Sequence, residues 1–133
     1  MKQPLSYIHP NAKIAKNVVI EPFTSIDGDV EIGEGSWIGS NVSIMDGARI
    51  GKNCNIYPGA VISANPQDLK YNNEKSFLKI GSNNKFRENV TINPGTFGGG
   101  LNTIIADNCL FMVGSHVAHD CIIKSNVILA NNA

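Results

Sequence analysis

Nowhere in these 133 residues does an apolar run approach the roughly 18 that a membrane-spanning helix needs. The N-terminal stretch MKQPLSYIHP carries no apolar segment of the kind a signal peptide requires, so the expected location is cytoplasmic. Excess charge is missing too: Lys plus Arg total 11 and Asp plus Glu total 11. No basic field is available to hold a phosphate backbone or an anionic bilayer, so nucleic acid is not expected as a partner. Cysteine is scarce. Cys54, Cys109 and Cys121 form no CxxC and are odd in number, which argues against a zinc knuckle or disulfide framework and for buried thiols. Aromatics are few, whereas Gly and Asn are plentiful, a mix that suits tight turns better than helices.

What is present is a repeat. Isoleucine stands at positions 8, 14, 20, 26, 32, 38, 44, 50, 56 and 62 without a gap, a period of six. Four residues after each of the first nine comes a small or β-branched residue: Ala12, Val18, Thr24, Val30, Ser36, Val42, Ala48, Cys54 and Ala60. A period of six matches neither an α-helix nor one long strand, and collagen would need Gly at every third place. It does match a coil of three short strands, one per hexad, with successive turns stacked at the roughly 4.8 Å spacing of paired strands. The expectation is one all-β domain over residues 1–133, a parallel β-helix of triangular cross-section. Inward Ile stacks well on a pleated wall, each burial contributing about 1.5–3 kcal/mol. Gly33, Gly39 and Gly51, directly after their isoleucines, are expected at corners that need permissive backbone angles.

The ladder breaks twice. After Ile62 the text SANPQDLKYNNEKSFLK intervenes before Ile80, and after Ile92 comes NPGTFGGGLNT, predicting loops at about 64–79 and 96–103. Beyond the second break an unchanged register would put Asn108, Asp120, Asn126 and Asn132 in small buried sites, at about 1–3 kcal/mol for each unsatisfied group. Shifting by one places Ile105, Phe111, Val117, Ile123 and Leu129 inside, with Cys109, Ser115, Cys121, Val127 and Ala133 as small partners. The shifted register counts eighteen hexads, or six coils of three. It puts His116 at a corner and His119 outward. The hexads that begin at Ile62, Ile92 and Val117 then share one side of the prism, so both loops and the histidine pair gather there.

A general base needs a pKa near working pH and a partner that fixes its tautomer, and histidine beside a carboxylate can have both. His119 and Asp120 form the candidate catalytic pair. His116 is a candidate contact for a substrate phosphate or hydroxyl, and Gln67, Asp68 and Lys70 combine the amide, carboxylate and ammonium that grip a sugar phosphate. The glycine run Gly98–Gly100 lacks the GxGxxG or GxxxxGK framework of a phosphate loop. A zinc site is not expected, because the only other histidine, His9, falls five coils away and zinc wants three or four ligands. No cofactor is called for. From these residues alone, a sugar-nucleotide enzyme and a non-catalytic β-helix binding module both stay open.

HPNAKI, IEPF, VEIGEG, NPQDLKY, FRENVTIN, GGGL, HVAHDC and ILANNA together resemble the acyl carrier protein-dependent UDP-N-acetylglucosamine O-acyltransferases of lipid A synthesis. NPQDLKY with HVAHDC is the specific part; the hexads alone mark a broader superfamily. The resemblance implies a left-handed coil and a homotrimer with sites between subunits. It also implies that His119, oriented by Asp120, takes the proton of the glucosamine 3-hydroxyl. That oxygen would attack the thioester of a 3-hydroxyacyl-acyl carrier protein with no covalent enzyme intermediate, while Gln67, Asp68, Lys70 and His116 contact the nucleotide sugar. A related enzyme using acetyl-coenzyme A or another nucleotide sugar is the alternative. Asn93-Pro94-Gly95-Thr96 departs from the family's usual INRGT or IHRGT, replacing a guanidinium with a ring. The family also continues well past the position of Ala133, with further coils and a helical C-terminal domain, so the chain as it stands is expected to be a poorly active N-terminal portion.

Overall fold

The computed structural model describes residues 1–133 and consists of strands, corners, two loops and one 3-10 turn, Phe97–Gly99. The eighteen strands fall into three six-stranded parallel sheets, each strand pairing with the one three places later in the chain. This is a left-handed parallel β-helix of six coils. The first face carries Tyr7–Ile8, Ser25–Ile26, Ser43–Ile44, Val61–Ile62, Thr91–Ile92 and His116–Val117. In nearly every strand the inward residue is the last, and it stands directly on its counterpart one coil below, as Ile62 does on Ile44 and under Ile92. Ile20, Ile26, Ile38, Ile44, Ile56, Ile62 and Ile92 are fully buried. In the shifted register Ile105, Phe111 and Val117 continue the same wall. Phe86 and Phe111 show how far coil pitch dictates packing: their rings stack 4.8 Å apart and 9° from parallel, about one strand spacing.

The small inward sites do more than fill space. Thr24 donates its hydroxyl to the Gly39 carbonyl (2.6 Å) and accepts the Val42 N–H (3.2 Å), tying two coils together inside the wall. Ser36 repeats the arrangement with Gly51 and Cys54, and Asn84 with Ala106 and Cys109. A buried Asn is therefore satisfied when both its amide and its oxygen face the next coil's backbone.

The corners differ from the expectation. Most turn through a residue of positive φ standing three places before the next inward residue, chiefly asparagine: Asn17, Asn41, Asn53, Asn83, Asn89, Asn108 and Asn126. Asn visits this left-handed region at lower cost than most side chains. Gly33, Gly39 and Gly51 do not have positive φ. They are held to glycine by crowding, since a Cβ on Gly51 would lie 2.4 Å from the Gly81 carbonyl oxygen and one on Gly33 would lie 2.5 Å from that of Gly51. The loops are also displaced from expectation. Pairing resumes at Phe77–Ile80, earlier than foreseen, and the second loop opens directly after Ile92 and closes at Asn102–Ile105. No helix is long and apolar enough to cross a membrane.

Two substitutions separate cavity from crowding. Phe86→Ala removes half of a buried stack and should cost about 3–5 kcal/mol, whereas Gly51→Ala, which overpacks two backbones, should cost about 1–3 kcal/mol. Denaturant midpoints on purified variants measure both.

Candidate functional site

The first face and the corner that follows it assemble the site. The first loop leaves after Ile62, the second after Ile92, and the His119-Asp120 corner follows Val117, in successive coils whose strands pair Val61 with Thr91 and Thr91 with His116. His116 lies within a strand and not at a corner, because the strand is the pair of residues ending at the inward Val117. Its outward ring meets Thr91 below. Nδ1 stands 3.1 Å from the Thr91 carbonyl, which can only accept, and 2.8 Å from the Thr91 hydroxyl. A proton on Nδ1 satisfies the carbonyl and leaves Nε2 as the free acceptor.

His119 and Asp120 occupy the corner. Neighbouring side chains on a strand point to opposite faces, yet His119 Nδ1 lies 2.7 Å from Asp120 Oδ2. Backbone angle resolves this: Asp120 has φ +66, in the left-handed position that other coils give to Asn or Gly, and the alternation lapses there. The carboxylate fixes the proton on Nδ1, so Nε2 presents its lone pair. Both side chains are partly exposed, 31% for His119 and 19% for Asp120.

Asp120 is held from several sides. Oδ1 accepts the Thr96 N–H (2.6 Å), Oδ2 accepts the Thr96 hydroxyl (2.5 Å), and its own N–H donates to Thr103 Oγ1 (2.9 Å). Burial works against the charge and is the largest single influence, but the bonds from Thr96 and His119 together outweigh it and hold the carboxyl below the usual carboxylate range. The middle glycine of the run finds its purpose here. A Cβ on Gly99 would lie 2.0 Å from the Asp120 carboxyl carbon, so the loop can close over this carboxylate only because it is bare.

The first loop carries Gln67, Asp68 and Lys70, with Gln67 and Lys70 exposed and Asp68 half-buried. Asp68 Oδ1 accepts both the Lys70 backbone N–H (2.9 Å) and the Lys70 ammonium (3.1 Å). The backbone N–H is the main reason its pKa is lowered, the ammonium follows, and His119 adds a smaller contribution. Leu69, between them, is wholly exposed. Asn93 anchors the root of this loop by donating its amide to the Ala64 carbonyl (3.0 Å). A polar hollow of about 360 Å³, walled by Asn65, Tyr71, Glu74 and Pro94 among others, lies behind the loop and does not include His119. Pocket shape alone would thus point away from the histidines; the hydrogen-bonded dyad is the better guide, because it can move a proton.

Sequence reading missed Thr91, Thr96 and Thr103. Each reaches the site from the neighbouring coil: the pairing register sets Thr91 under His116, while Thr96 and Thr103 meet Asp120 through the path of the second loop and the strand that closes it.

The model for the bacterial transferase hexapeptide (six repeats) matches residues 29–64 and 102–133, just over half of this chain. An acyl-[acyl-carrier-protein]–UDP-N-acetylglucosamine O-acyltransferase of Paracoccus denitrificans is 62% identical over 68 residues, 51% of this chain and 26% of the relative. Among solved structures, a UDP-N-acetylglucosamine acyltransferase of Bacteroides fragilis matches 99% of this chain at 52% identity with a TM-score of 0.97. A homologous structure from Acinetobacter baumannii matches 98% at 39% identity with a TM-score of 0.97. The chain spans about half the length of these structures, 51% of each.

Thr96→Val deletes one hydroxyl and keeps the N–H. A lowered carboxylate pKa contributes stability that is present above the ordinary carboxylate value and lost as pH falls through the lower folded one. The Asp120 carboxyl should therefore titrate at higher pH in Thr96→Val, and the acid loss of stability should begin sooner, as read from carboxyl carbon shifts in an NMR pH series. An unchanged titration would mean that the hydroxyl does not hold the charge.

Proposed function

The chain belongs to the bacterial transferase hexapeptide family, and we propose that its site transfers a 3-hydroxyacyl group from acyl carrier protein to the 3-hydroxyl of UDP-N-acetylglucosamine, a step of lipid A synthesis. The observation that carries this reading is the corner dyad, with Nδ1 of His119 bound to Asp120 and Nε2 free, beside the loop that bears Gln67, Asp68 and Lys70. The relatives' names support the substrates: the Paracoccus protein is named for acyl-acyl carrier protein and UDP-N-acetylglucosamine.

In this mechanism Nε2 of His119 removes the sugar hydroxyl proton as the oxygen attacks the thioester carbonyl. Asp120 keeps the imidazole in the correct tautomer and stabilises the imidazolium that forms. Collapse of the tetrahedral intermediate breaks the C–S bond, and the proton passes to the departing thiolate of the carrier. Ester and free thiol result, with no covalent enzyme intermediate and no cofactor. Lys70 and Gln67 bind the phosphate and sugar, Asp68 orients Lys70, and the free Nε2 of His116 accepts from a substrate group one strand spacing away. A homotrimer, with sites closed by a neighbouring subunit, and a cytoplasmic location complete the proposal.

The test is a chimaera in which these six coils replace the matching half of the Bacteroides fragilis protein. Acyl transfer from 3-hydroxyacyl-acyl carrier protein should occur, and His119→Ala should lower kcat by about 10²–10⁴-fold with little change in KM for the sugar nucleotide. Full activity in the alanine variant would remove His119 from the mechanism. Transfer from acetyl-coenzyme A in place of the carrier thioester would assign a different donor.

A further inference from the structure

Two adjacent backbone N–H groups in the second loop grip two different carboxylates. The Thr96 N–H goes to Asp120, the partner of the base, and the Phe97 N–H goes to Glu74 Oε2 (3.0 Å), at the far end of the first loop. The other oxygen of Glu74 accepts the Asn72 N–H (2.7 Å), and the Glu74 carbonyl accepts the Tyr71 hydroxyl (3.3 Å). Glu74 is thus bound within its own loop and across to the next.

We propose that Glu74 is a positioning residue that latches the substrate-gripping loop to the turn holding Asp120, so that Gln67, Asp68, Lys70 and the His119 base are set in one frame. This rests on the nucleotide-sugar reading of the site. The roots of the two loops are secured without Glu74, by the Phe77 N–H to Leu101 carbonyl bond (2.9 Å), the Gly95 N–H to Phe77 carbonyl bond (3.2 Å) and the Asn93 tie to Ala64. Loss of the latch would therefore free the tips and leave the prism intact. The bonds from the Phe97 and Asn72 N–H groups also hold the Glu74 carboxyl below its usual range, so the latch carries a full charge. A misplacement of order 1 Å between binding groups and base is enough to cost catalysis heavily.

The experiment uses this chain with isotope labelling, UDP-N-acetylglucosamine as probe, and the variants Glu74→Ala and Glu74→Gln. In Glu74→Ala the Phe97 amide should exchange faster. The His119 ring nitrogens should move from one tautomer towards a mixture, and affinity for the sugar nucleotide should fall about tenfold, as losing one charge-assisted hydrogen bond implies. Glu74→Gln, whose amide oxygen can still accept from Phe97, should lie between. Faster Phe97 exchange with an unchanged His119 ring and unchanged affinity would overturn the latch. So would changes that appear only in step with loss of core amide protection. If the native chain binds no UDP-N-acetylglucosamine while Glu74→Ala still shifts the His119 ring, the substrate reading falls and the tie between loop and base stands.

Discussion

Everything in this molecule depends on each strand being hydrogen-bonded in parallel to the strand one coil below it, in register and at a single spacing. That constraint forbids any lateral freedom to the inward side chains, which must stack column on column at the pitch of the backbone. Ile62 on Ile44 and Phe111 on Phe86 are outcomes of the same geometry. It also explains why polar residues are tolerated in the wall. Thr24, Ser36 and Asn84 each bridge to the next coil's backbone, so their polar atoms lie where a donor and an acceptor recur at every turn.

A rigid lattice of this kind offers few places to build a site. Strands are committed to pairing and their inward faces to packing, which leaves outward strand residues and corners. The molecule uses both. His116 is an outward strand residue above Thr91, while His119 and Asp120 sit at a corner where the left-handed angle lets adjacent side chains meet. Insertions at the same corner in the two coils below carry the loop that bears Gln67, Asp68 and Lys70 and the turn that closes on Asp120. Gly99 allows that turn to lie on the Asp120 carboxylate, and Thr96 holds it there.

Much of the wall was legible because its period is set by the coil itself. The uninterrupted isoleucines, the break after Ile62 and the shifted register after Ile92 predicted six coils and the gathering of both loops with the histidines. The corner residues were read wrongly: Gly33, Gly39 and Gly51 look like turn formers, yet it is backbone crowding between coils that excludes a side chain from them. His116 was placed at a corner and lies in a strand, because hexad spacing locates the inward residue and not where pairing starts.

By itself the sequence determined the repeat, the fold class and the side of the prism on which the two loops and the histidine pair cluster, since a period-six pattern admits one register that buries apolar groups and leaves polar ones outside. The contacts within the cluster were decided by tertiary structure alone. Thr96 is 24 residues from Asp120 and Glu74 is 23 from Phe97. Their meeting depends on how far two irregular loops travel before pairing resumes, and no local pattern encodes that length of path.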